Sequence, residues 1–219
     1  MPPAVPPGPD PLSEALHSHG LVAILRARGH GPLLDAIRVL VEAGVRIVEV
    51  TIPTPGSMEA VAAAAKEFGS EVLIGTGTVL TTEDVSRTAD AGGRFVVCPH
   101  TDPVVITAAR ASGLGSLPGA YTPTEVLTAW RCAPSAVKIF PASALGPHYV
   151  AGLAAPLPDI PVVPTGGIGV DDIAAYRGAG AVAVGVSSPL IGDALSGGSL
   201  TELHHRARRY VLASGDHTS

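Results

Sequence analysis

The sequence is short of charge and, among its cations, short of lysine. Only 15% of its 219 residues are charged, and 19 acidic side chains outnumber 14 basic ones, for a net charge of -5. This balance excludes a basic nucleic-acid-binding protein, and the hydrophobic fraction of 46% excludes intrinsic disorder. Twelve of the cations are arginines and two are lysines, Lys66 and Lys138. The composition is that of an acidic globular protein.

Other scarce features narrow the class of protein further. Two cysteines, Cys98 and Cys132, are too few for a disulfide framework and lie in no Cys/His spacing typical of zinc, which favours a reducing compartment. No run approaches the roughly 20 apolar residues that a membrane span needs, and the N-terminus lacks a signal-peptide pattern. We therefore expect a cytoplasmic protein with no membrane partner. The proline-rich residues 1–11 are predicted to form a disordered tail, followed by one domain over residues 12–219.

What the sequence does have is a regular alternation of short apolar, β-branched runs with Ala-rich amphipathic runs. The apolar runs predict eight strands, at residues 21–26, 47–51, 72–76, 95–98, 116–118, 136–140, 161–164 and 181–185. Several are apolar along most of their length, as expected of parallel strands covered on both faces. A last amphipathic run, residues 200–213, closes the chain.

Helix stop and start signals lie between these strands. Five glycines each follow an amphipathic run and precede a strand: Gly44, Gly69, Gly92, Gly113 and Gly180. Residues 101–103 and 121–125 resemble helix N-caps. This order predicts a single compact (β/α)8 TIM barrel with short loops. The alternative is an open doubly wound sheet, although no GxGxxG motif follows the first strand.

Two predicted strands carry a charged residue among apolar ones, Glu49 in the second and Lys138 in the sixth. Because successive side chains alternate between the faces of a strand, we expect both to point into the barrel. Burial can lower a lysine pKa by as much as about 3–5 units, which makes the amine a nucleophile near neutral pH. Arginine cannot do this. Lys138 is thus the predicted nucleophile and Glu49 the general acid/base.

A purely structural interpretation of the same two residues is a buried Lys138–Glu49 ion pair. Buried ion pairs stabilise poorly compared with apolar replacements, which favours the chemical interpretation. Lys66, on a predicted helix, is expected to be a solvated surface charge. Cys98 is expected to be a small buried hydrophobe, and His100 a loop histidine at the end of the fourth strand rather than a catalytic group.

Glycine-containing loops follow the seventh and eighth predicted strands, at residues 164–169 and 185–188. In TIM barrels these loops form a recurrent phosphate site, since glycine lets backbone N–H groups approach an anion. We favour a phosphate site there over plain turns. No group of Asp, Glu and His has metal-site spacing, so no metal is expected.

Five segments in this order resemble a known family: 23–26 (AILR), 48–51 (VEVT), 74–80 (IGTGTVL), 138–141 (KIFP) and 164–168 (PTGGI). The resemblance is to the 2-keto-3-deoxy-6-phosphogluconate / 2-keto-3-deoxy-6-phosphogalactonate aldolase family, which are class I aldolases on a (β/α)8 barrel. It implies that Lys138 is the Schiff-base lysine and Glu49 the general acid/base. It further implies small-molecule substrates (pyruvate and a phosphorylated sugar acid), no metal or organic cofactor, and a homotrimer.

The resemblance also assigns residues that the local pattern does not single out. Thr78 and Thr165 would contact the pyruvate-derived part of the substrate, and Pro99 and Phe140 would shape the pocket. The phosphate would be held by the loops that contain Gly166, Gly167, Ser187 and Ser188.

One position departs from the family pattern. Phosphogluconate members have an arginine where this sequence has Pro53. Residues 138–149 are closer to the phosphogalactonate branch, which also lacks that arginine. Arg26, at the end of the first strand, is the obvious substitute cation.

The expected activity is reversible aldol cleavage of such a phosphorylated sugar acid to pyruvate and glyceraldehyde 3-phosphate. Three alternatives stay open at the level of sequence. They are a class I lyase acting on unphosphorylated 4-hydroxy-2-oxoglutarate, a phosphate-binding isomerase or epimerase, and a non-catalytic sugar-phosphate sensor.

Overall fold

A computed structural model describes residues 10–215. Within this range the strands are β1 (Leu21–Leu25), β2 (Ile47–Thr51), β3 (Leu73–Gly77), β4 (Phe95–Val97), β5 (Gly115–Leu117), β6 (Gly119–Ala120), β7 (Val137–Ile139), β8 (Val162–Pro164) and β9 (Val184–Val186). The α-helices are α1 (Pro11–His19), α2 (Leu33–Glu42), α3 (Ser57–Phe68), α4 (Thr82–Asp90), α5 (Pro103–Ala111), α6 (Pro123–Trp130), α7 (Gly146–Ala154), α8 (Ile173–Gly178), α9 (Ser188–Ile191) and α10 (Leu200–Ser214). None of these helices combines the length and hydrophobicity that crossing a bilayer requires.

The described strands form two parallel sheets. One has six strands in the order β5-β4-β3-β2-β1-β9, and the other has three in the order β6-β7-β8. Neighbours follow chain order, and the first strand pairs with both the second and the last. A doubly wound sheet reverses its strand order at a central switch point, and this sheet does not. The strand order therefore argues against the doubly wound alternative.

Hydrogen bonds link the edges of the two sheets. At one edge, Pro118 lies between β5 and β6, and its carbonyl accepts the N–H of Lys138 at 2.9 Å. At the other edge, Thr165 and Gly185 form a parallel bridge. The two sheets are thus hydrogen-bonded to each other at both edges of the six-stranded one.

The structure corrects two of the predicted strands. The fifth, predicted at residues 116–118, is two short strands on either side of Pro118, because proline has no N–H to donate to a ladder. The last begins at Val184 rather than at residue 181. The N–H of Val182 still bonds to the three-stranded sheet, whereas that of Val184 bonds to Gly20, so the chain changes partners here.

The first helix begins earlier than the predicted start near Leu12. Asp10 accepts the N–H of Ser13 at 2.7 Å as the N-cap, and Pro11 is the first helical residue, where the missing N–H costs nothing. Residues 10 and 11 therefore belong to the folded chain. Residues 1–9 of the predicted tail lie outside the described residues.

The other helix signals are confirmed. All five glycines predicted to follow helices have positive φ, between 58° and 104°. Asp102 caps α5, and Thr122 forms a capping box with Glu125 at α6.

Buried side chains form two layers that follow the alternation along the strands. On the helix-facing side the core contains Val48, Val50, Val137 and Ile139, among others. On the opposite side an interior cluster contains these residues: Leu12, Leu16, Val22, Ile24, Ile47, Leu73, Phe95, Val97, Leu117, Ala136, Val163 and Ala183. The period of two expected of strands is therefore present in the packing.

Helix α1 covers one end of this interior cluster. Its Leu12 and Leu16 are buried in the cluster. The hydroxyl of Ser135 donates to the Asp10 carboxylate at 2.7 Å and accepts the N–H of Ser116 at 3.0 Å, so α1 is tied to β5 and to the chain just before β7. These contacts lie where the strands start, which leaves their carboxyl ends open.

Several arginines bond to backbone carbonyls rather than to carboxylates. Arg206 donates through Nε to Leu190 and through Nη2 to Ile191, both at 2.9 Å. Arg46 and Arg177 each donate to two carbonyls near the end of a helix. Arg206 thus binds its two acceptors with two nitrogens of the planar fork, which explains arginine at this position, whereas Arg46 and Arg177 each use Nη1 alone.

Replacing Leu16 by alanine tests the role of α1. Leu16 is fully buried in the interior cluster, so Leu16→Ala should lower the free energy of unfolding by about 2–5 kcal/mol, through lost burial and a cavity. Leu212→Ala is the matched control, because Leu212 is 61% exposed and should change it by less than about 0.5 kcal/mol. Urea denaturation measures both; equal effects would show that α1 is not packed in this way.

Candidate active site

Glu49 and Lys138 both lie on the interior side of their strands. Glu49 is in the middle of β2 and 1% exposed, and Lys138 is in the middle of β7 and 6% exposed. Their chain neighbours pack in the helix-facing core, so alternation turns both charged side chains inward. This is the arrangement that the sequence pattern predicts.

Lys138 has an aromatic partner rather than an acidic one. Its Nζ lies 4.9 Å from the centroid of the Phe140 ring, a cation–π contact with the second residue along the same chain. Among residues 10–215, no carboxylate oxygen lies within the 4.0 Å of an ion pair from this Nζ. The structural Lys138–Glu49 ion pair considered above is therefore not formed.

The Glu49 carboxyl is governed by two opposing effects. Its burial raises the pKa, whereas the positive charges of Lys138 and Arg26 lower it, and burial is the larger effect, so the pKa is raised above its ordinary value. A carboxyl with a raised pKa exchanges protons closer to neutral pH, as general acid/base catalysis requires.

Arg26 reaches across the strand that carries Glu49. It follows β1, and its Nη2 donates to the hydroxyl of Thr78 after β3 at 3.0 Å. Because β2 lies between β1 and β3, this bond passes over the carboxyl end of the Glu49 strand. The guanidinium is therefore placed near Glu49, in agreement with its effect on the carboxyl.

Thr78 adopts a backbone conformation that β-branched residues rarely take. Its φ is +59°, in the left-handed region. Such a conformation costs of order 1–3 kcal/mol and is found mostly where function requires it. It coincides here with the hydroxyl that holds Arg26.

Gly77, the last residue of β3, leaves space for the Glu49 carboxylate because it has no side chain. Gly77 pairs with Thr51 on the neighbouring strand, and a Cβ at this position would overlap Oε1 of Glu49. Any other residue would have to displace the carboxylate.

The two glycine-containing loops are neighbours in the structure. Gly166 and Gly167 follow β8 with φ of +98° and +74°, and Ser187 and Ser188 follow β9 at the start of α9. The bridge to Gly185 from Thr165, next to Gly166, brings the loops together. Thr165 is buried, and its hydroxyl donates to the carbonyl of Val163 at 3.2 Å.

Gly166 connects this loop pair to the lysine strand. A Cβ at Gly166 would lie 3.3 Å from the Phe140 ring, and the Gly166 carbonyl accepts the N–H of Ser143 at 3.1 Å. The loops and the Lys138 amine therefore border one region, with Phe140 between them.

The remaining predicted residues are placed as follows. Pro99 and His100 lie in the loop after β4, with the His100 side chain exposed. Cys98 is 1% exposed, and burial raises its pKa to about 12, so it is a buried hydrophobe as expected. Lys66 is exposed on α3, also as expected. Among residues 10–215, no group of three His, Cys, Asp or Glu side chains could hold a metal ion.

Two features of this site have no counterpart in the local pattern. The left-handed conformation of Thr78 and the close approach of Glu49 to Gly77 both depend on a neighbouring strand. The GTGT segment at 75–78 offers only the glycines as a sign of tight packing.

Comparison with solved structures gives the class of protein. A structure described as "Native KDPGal structure" matches with a TM-score of 0.83 at 34% identity, covering 88% of this chain and 93% of that one. The chain thus has the fold of an aldolase.

Comparison with protein families and curated proteins gives the family. Residues 12–203 match the model described as "Aldolase: KDPG and KHG aldolase". A probable 2-dehydro-3-deoxy-6-phosphogalactonate aldolase of Rhizobium meliloti is 36% identical over 183 residues, covering 83% of this chain and 86% of the relative. The 2-dehydro-3-deoxy-6-phosphogalactonate aldolase of Escherichia coli K12 is 34% identical over 194 residues, covering 88% and 93%. The chain belongs to the KDPG and KHG aldolase family, which confirms the resemblance.

Gly77→Ala tests the described position of the Glu49 carboxylate. The added methyl group would displace Glu49, so kcat/KM should fall roughly 100-fold or more while the fold persists, because small misplacements of catalytic groups have effects of this size. The control is Gly152→Ala, at an exposed position of α7 with open space around it. It should keep full activity and gain about 1 kcal/mol of stability. Wild-type kcat/KM in Gly77→Ala would contradict the described position of Glu49.

Proposed function

We propose that this protein is a class I aldolase that reversibly cleaves a 2-keto-3-deoxy-6-phospho sugar acid of the phosphogluconate or phosphogalactonate type. The products are pyruvate and D-glyceraldehyde 3-phosphate. The observation that carries this proposal is the Lys138 amine, buried on the interior face without a carboxylate within 4.0 Å among the described residues. The reaction needs an amine whose electron pair can attack the substrate rather than one committed to an ion pair.

In the first half of the reaction, Nζ of Lys138 attacks the C2 ketone of the substrate. As the Glu49 carboxyl donates a proton and water is lost, a protonated Schiff base forms, which withdraws electrons from the C3–C4 bond. The iminium charge then lies on this nitrogen, which is 4.9 Å from the Phe140 ring centroid in the free enzyme. The ring face therefore stabilises the iminium cation once it has formed.

In the second half, the Glu49 carboxylate accepts the proton of the C4 hydroxyl. The C3–C4 bond breaks, its electron pair neutralises the iminium to an enamine, and the aldehyde leaves. Protonation of C3 regenerates the iminium, and water then releases pyruvate and the free amine. Glu49 is suited to both proton transfers because its raised pKa lets it return the proton it takes.

The two anionic ends of the substrate have separate partners. Arg26 and Thr78, joined by their hydrogen bond, bind the carboxylate end together with Thr165. Gly166, Gly167, Ser187 and Ser188 hold the phosphate. Pro99 and Phe140 shape the pocket between them.

The proposal also covers the architecture and the setting of the enzyme. We infer that the two parallel sheets are arcs of one closed (β/α)8 barrel in which β5 and β6 together form the fifth strand, as the hydrogen bonds at both edges support. A homotrimer in the cytoplasm is the expected form. Three of the five large exposed apolar side chains among the described residues, Leu80, Val104 and Tyr121, are available for such an assembly.

The alternatives left open by the sequence are less well supported. An isomerase, an epimerase or a sensor would not require an inward-facing lysine without an acidic partner. Cleavage of unphosphorylated 4-hydroxy-2-oxoglutarate would leave the paired glycine loops without a ligand. The relatives from R. meliloti and E. coli are both named for a phosphorylated substrate.

Trapping with pyruvate and borohydride tests the covalent step, and the scarcity of lysine makes it unusually clean. Reduction of the Schiff base should add the pyruvate-derived mass to Lys138, found by mass spectrometry of peptides. Lys66→Arg should still be labelled, and Lys138→Arg should be inactive and unlabelled at residue 138. An active enzyme that carries no label on Lys138 would refute the mechanism.

Glu49→Gln tests the proton transfers. Turnover should fall about 10²- to 10⁴-fold, and the acid limb of the wild-type kcat/KM profile, with a midpoint above 4.5, should disappear. Because the folded state raises this pKa, the wild-type protein loses stability as pH rises from the unfolded-state pKa to the folded-state one. The neutral amide removes that loss, so the variant should be more stable than wild type at pH 7. Wild-type turnover would exclude Glu49 from the chemistry.

A further inference from the structure

The turn between β2 and α3 touches the loop that carries Arg26. The hydroxyl of Thr54 accepts the backbone N–H of Ala27, the residue next to Arg26, at 3.1 Å. Thr54 is 2% exposed. Residues 28–30 of this loop are exposed to solvent, so the partly buried bond from Ala27 restrains the start of the loop.

Thr54 is itself firmly held. Its hydroxyl lies 2.8 Å from the hydroxyl of Thr51, the last residue of β2, and its N–H donates to the Thr51 carbonyl at 2.9 Å. The N–H of Ile52 donates to the Gly77 carbonyl on β3, also at 2.9 Å. The turn is therefore an extension of the two strands that carry Glu49 and its neighbour Gly77.

We propose that Thr54 is a positioning residue, which sets the direction of Arg26 by holding the backbone at Ala27. Arg26 is thereby fixed at two points, its backbone by Thr54 and its guanidinium by Thr78. The neighbouring Pro53 brings no charge to this side of the site. The inference rests on the proposed function, in which Arg26 binds the carboxylate end of the substrate.

The position of Arg26 also affects Glu49. Three charged or titratable side chains interact with the Glu49 carboxyl: Lys138, Arg26 and Cys98. The Cys98 thiol, with a pKa of about 12, stays neutral near pH 7, and Lys138 lies in a different sheet from β2, the strand that precedes Thr54. A change in Arg26 alone therefore moves the titration of Glu49 in a known direction, upward when the guanidinium moves away.

The test is Thr54→Val, which replaces the hydroxyl by a methyl group of similar size. KM for the phosphorylated substrate should rise roughly three- to tenfold, the effect of one lost hydrogen bond. The acid limb of kcat/KM should move to higher pH, whereas kcat should change less than KM. Thr54→Ser keeps the hydroxyl and should restore both. If the valine variant does not fold, Thr54→Ala removes the same hydroxyl and carries the same expectation.

Thr88→Val is the matched control. Thr88 is 0% exposed, and its hydroxyl pairs with that of Thr76 at 2.6 Å, so it is a buried threonine pair with no contact to the Arg26 loop. It should lose comparable stability and keep the wild-type KM and acid limb. A second check uses the Arg26→Gln background, in which Thr54→Val should have no further effect on KM, since coupled residues are not additive.

The outcomes separate the two proposals. Wild-type KM and acid limb in Thr54→Val, or equal changes in Thr54→Val and Thr88→Val, would overturn the positioning role. Additive effects with Arg26→Gln would overturn it as well. Failure of the proposed function shows independently, as wild-type enzyme that cleaves no phosphorylated substrate and is not labelled at Lys138.

Discussion

The burial of the Glu49 carboxyl is the constraint on which the rest of the site depends. A charged carboxylate in an apolar interior is costly unless positive charge lies nearby. Arg26 and Lys138 supply that charge from two different sheets, and neither neutralises the carboxyl by direct contact. Because Gly77 has no side chain, there is space beside it for the Glu49 carboxyl. The pKa of the carboxyl is thus set by several parts of its surroundings rather than by one partner.

Much of this arrangement follows from local rules. Alternation along a strand is a property of a few residues, so the inward direction of Glu49 and Lys138 could be predicted from their apolar neighbours. Helix ends were equally predictable, because a left-handed residue after a helix favours glycine wherever it occurs. The break at Pro118 also has a local cause, the missing N–H of proline, although the predicted strand runs up to that residue. What could not be predicted depends on distant segments, namely the later start of β9 and the left-handed Thr78. The family resemblance indicated Thr78 as a site residue, but it did not indicate the left-handed conformation of that residue.

The site costs stability that the remainder of the fold must offset. A strained Thr78 and a buried Glu49 both disfavour the folded state at neutral pH. The compensating contacts come from both buried layers, the helix-facing core and the interior cluster that α1 covers. Unfavourable geometry of this kind persists at functional sites only where the surrounding structure holds it in place.

The preference for arginine has a consequence for the chemistry of the surface. Arg46, Arg177 and Arg206 each donate to two backbone carbonyls. A guanidinium stays protonated and does not form imines readily, whereas an exposed lysine does so with any free aldehyde. The proposed reaction releases an aldehyde in every catalytic cycle of cleavage. With Lys66 as the sole exposed lysine side chain, the enzyme offers its own product few places for adventitious modification.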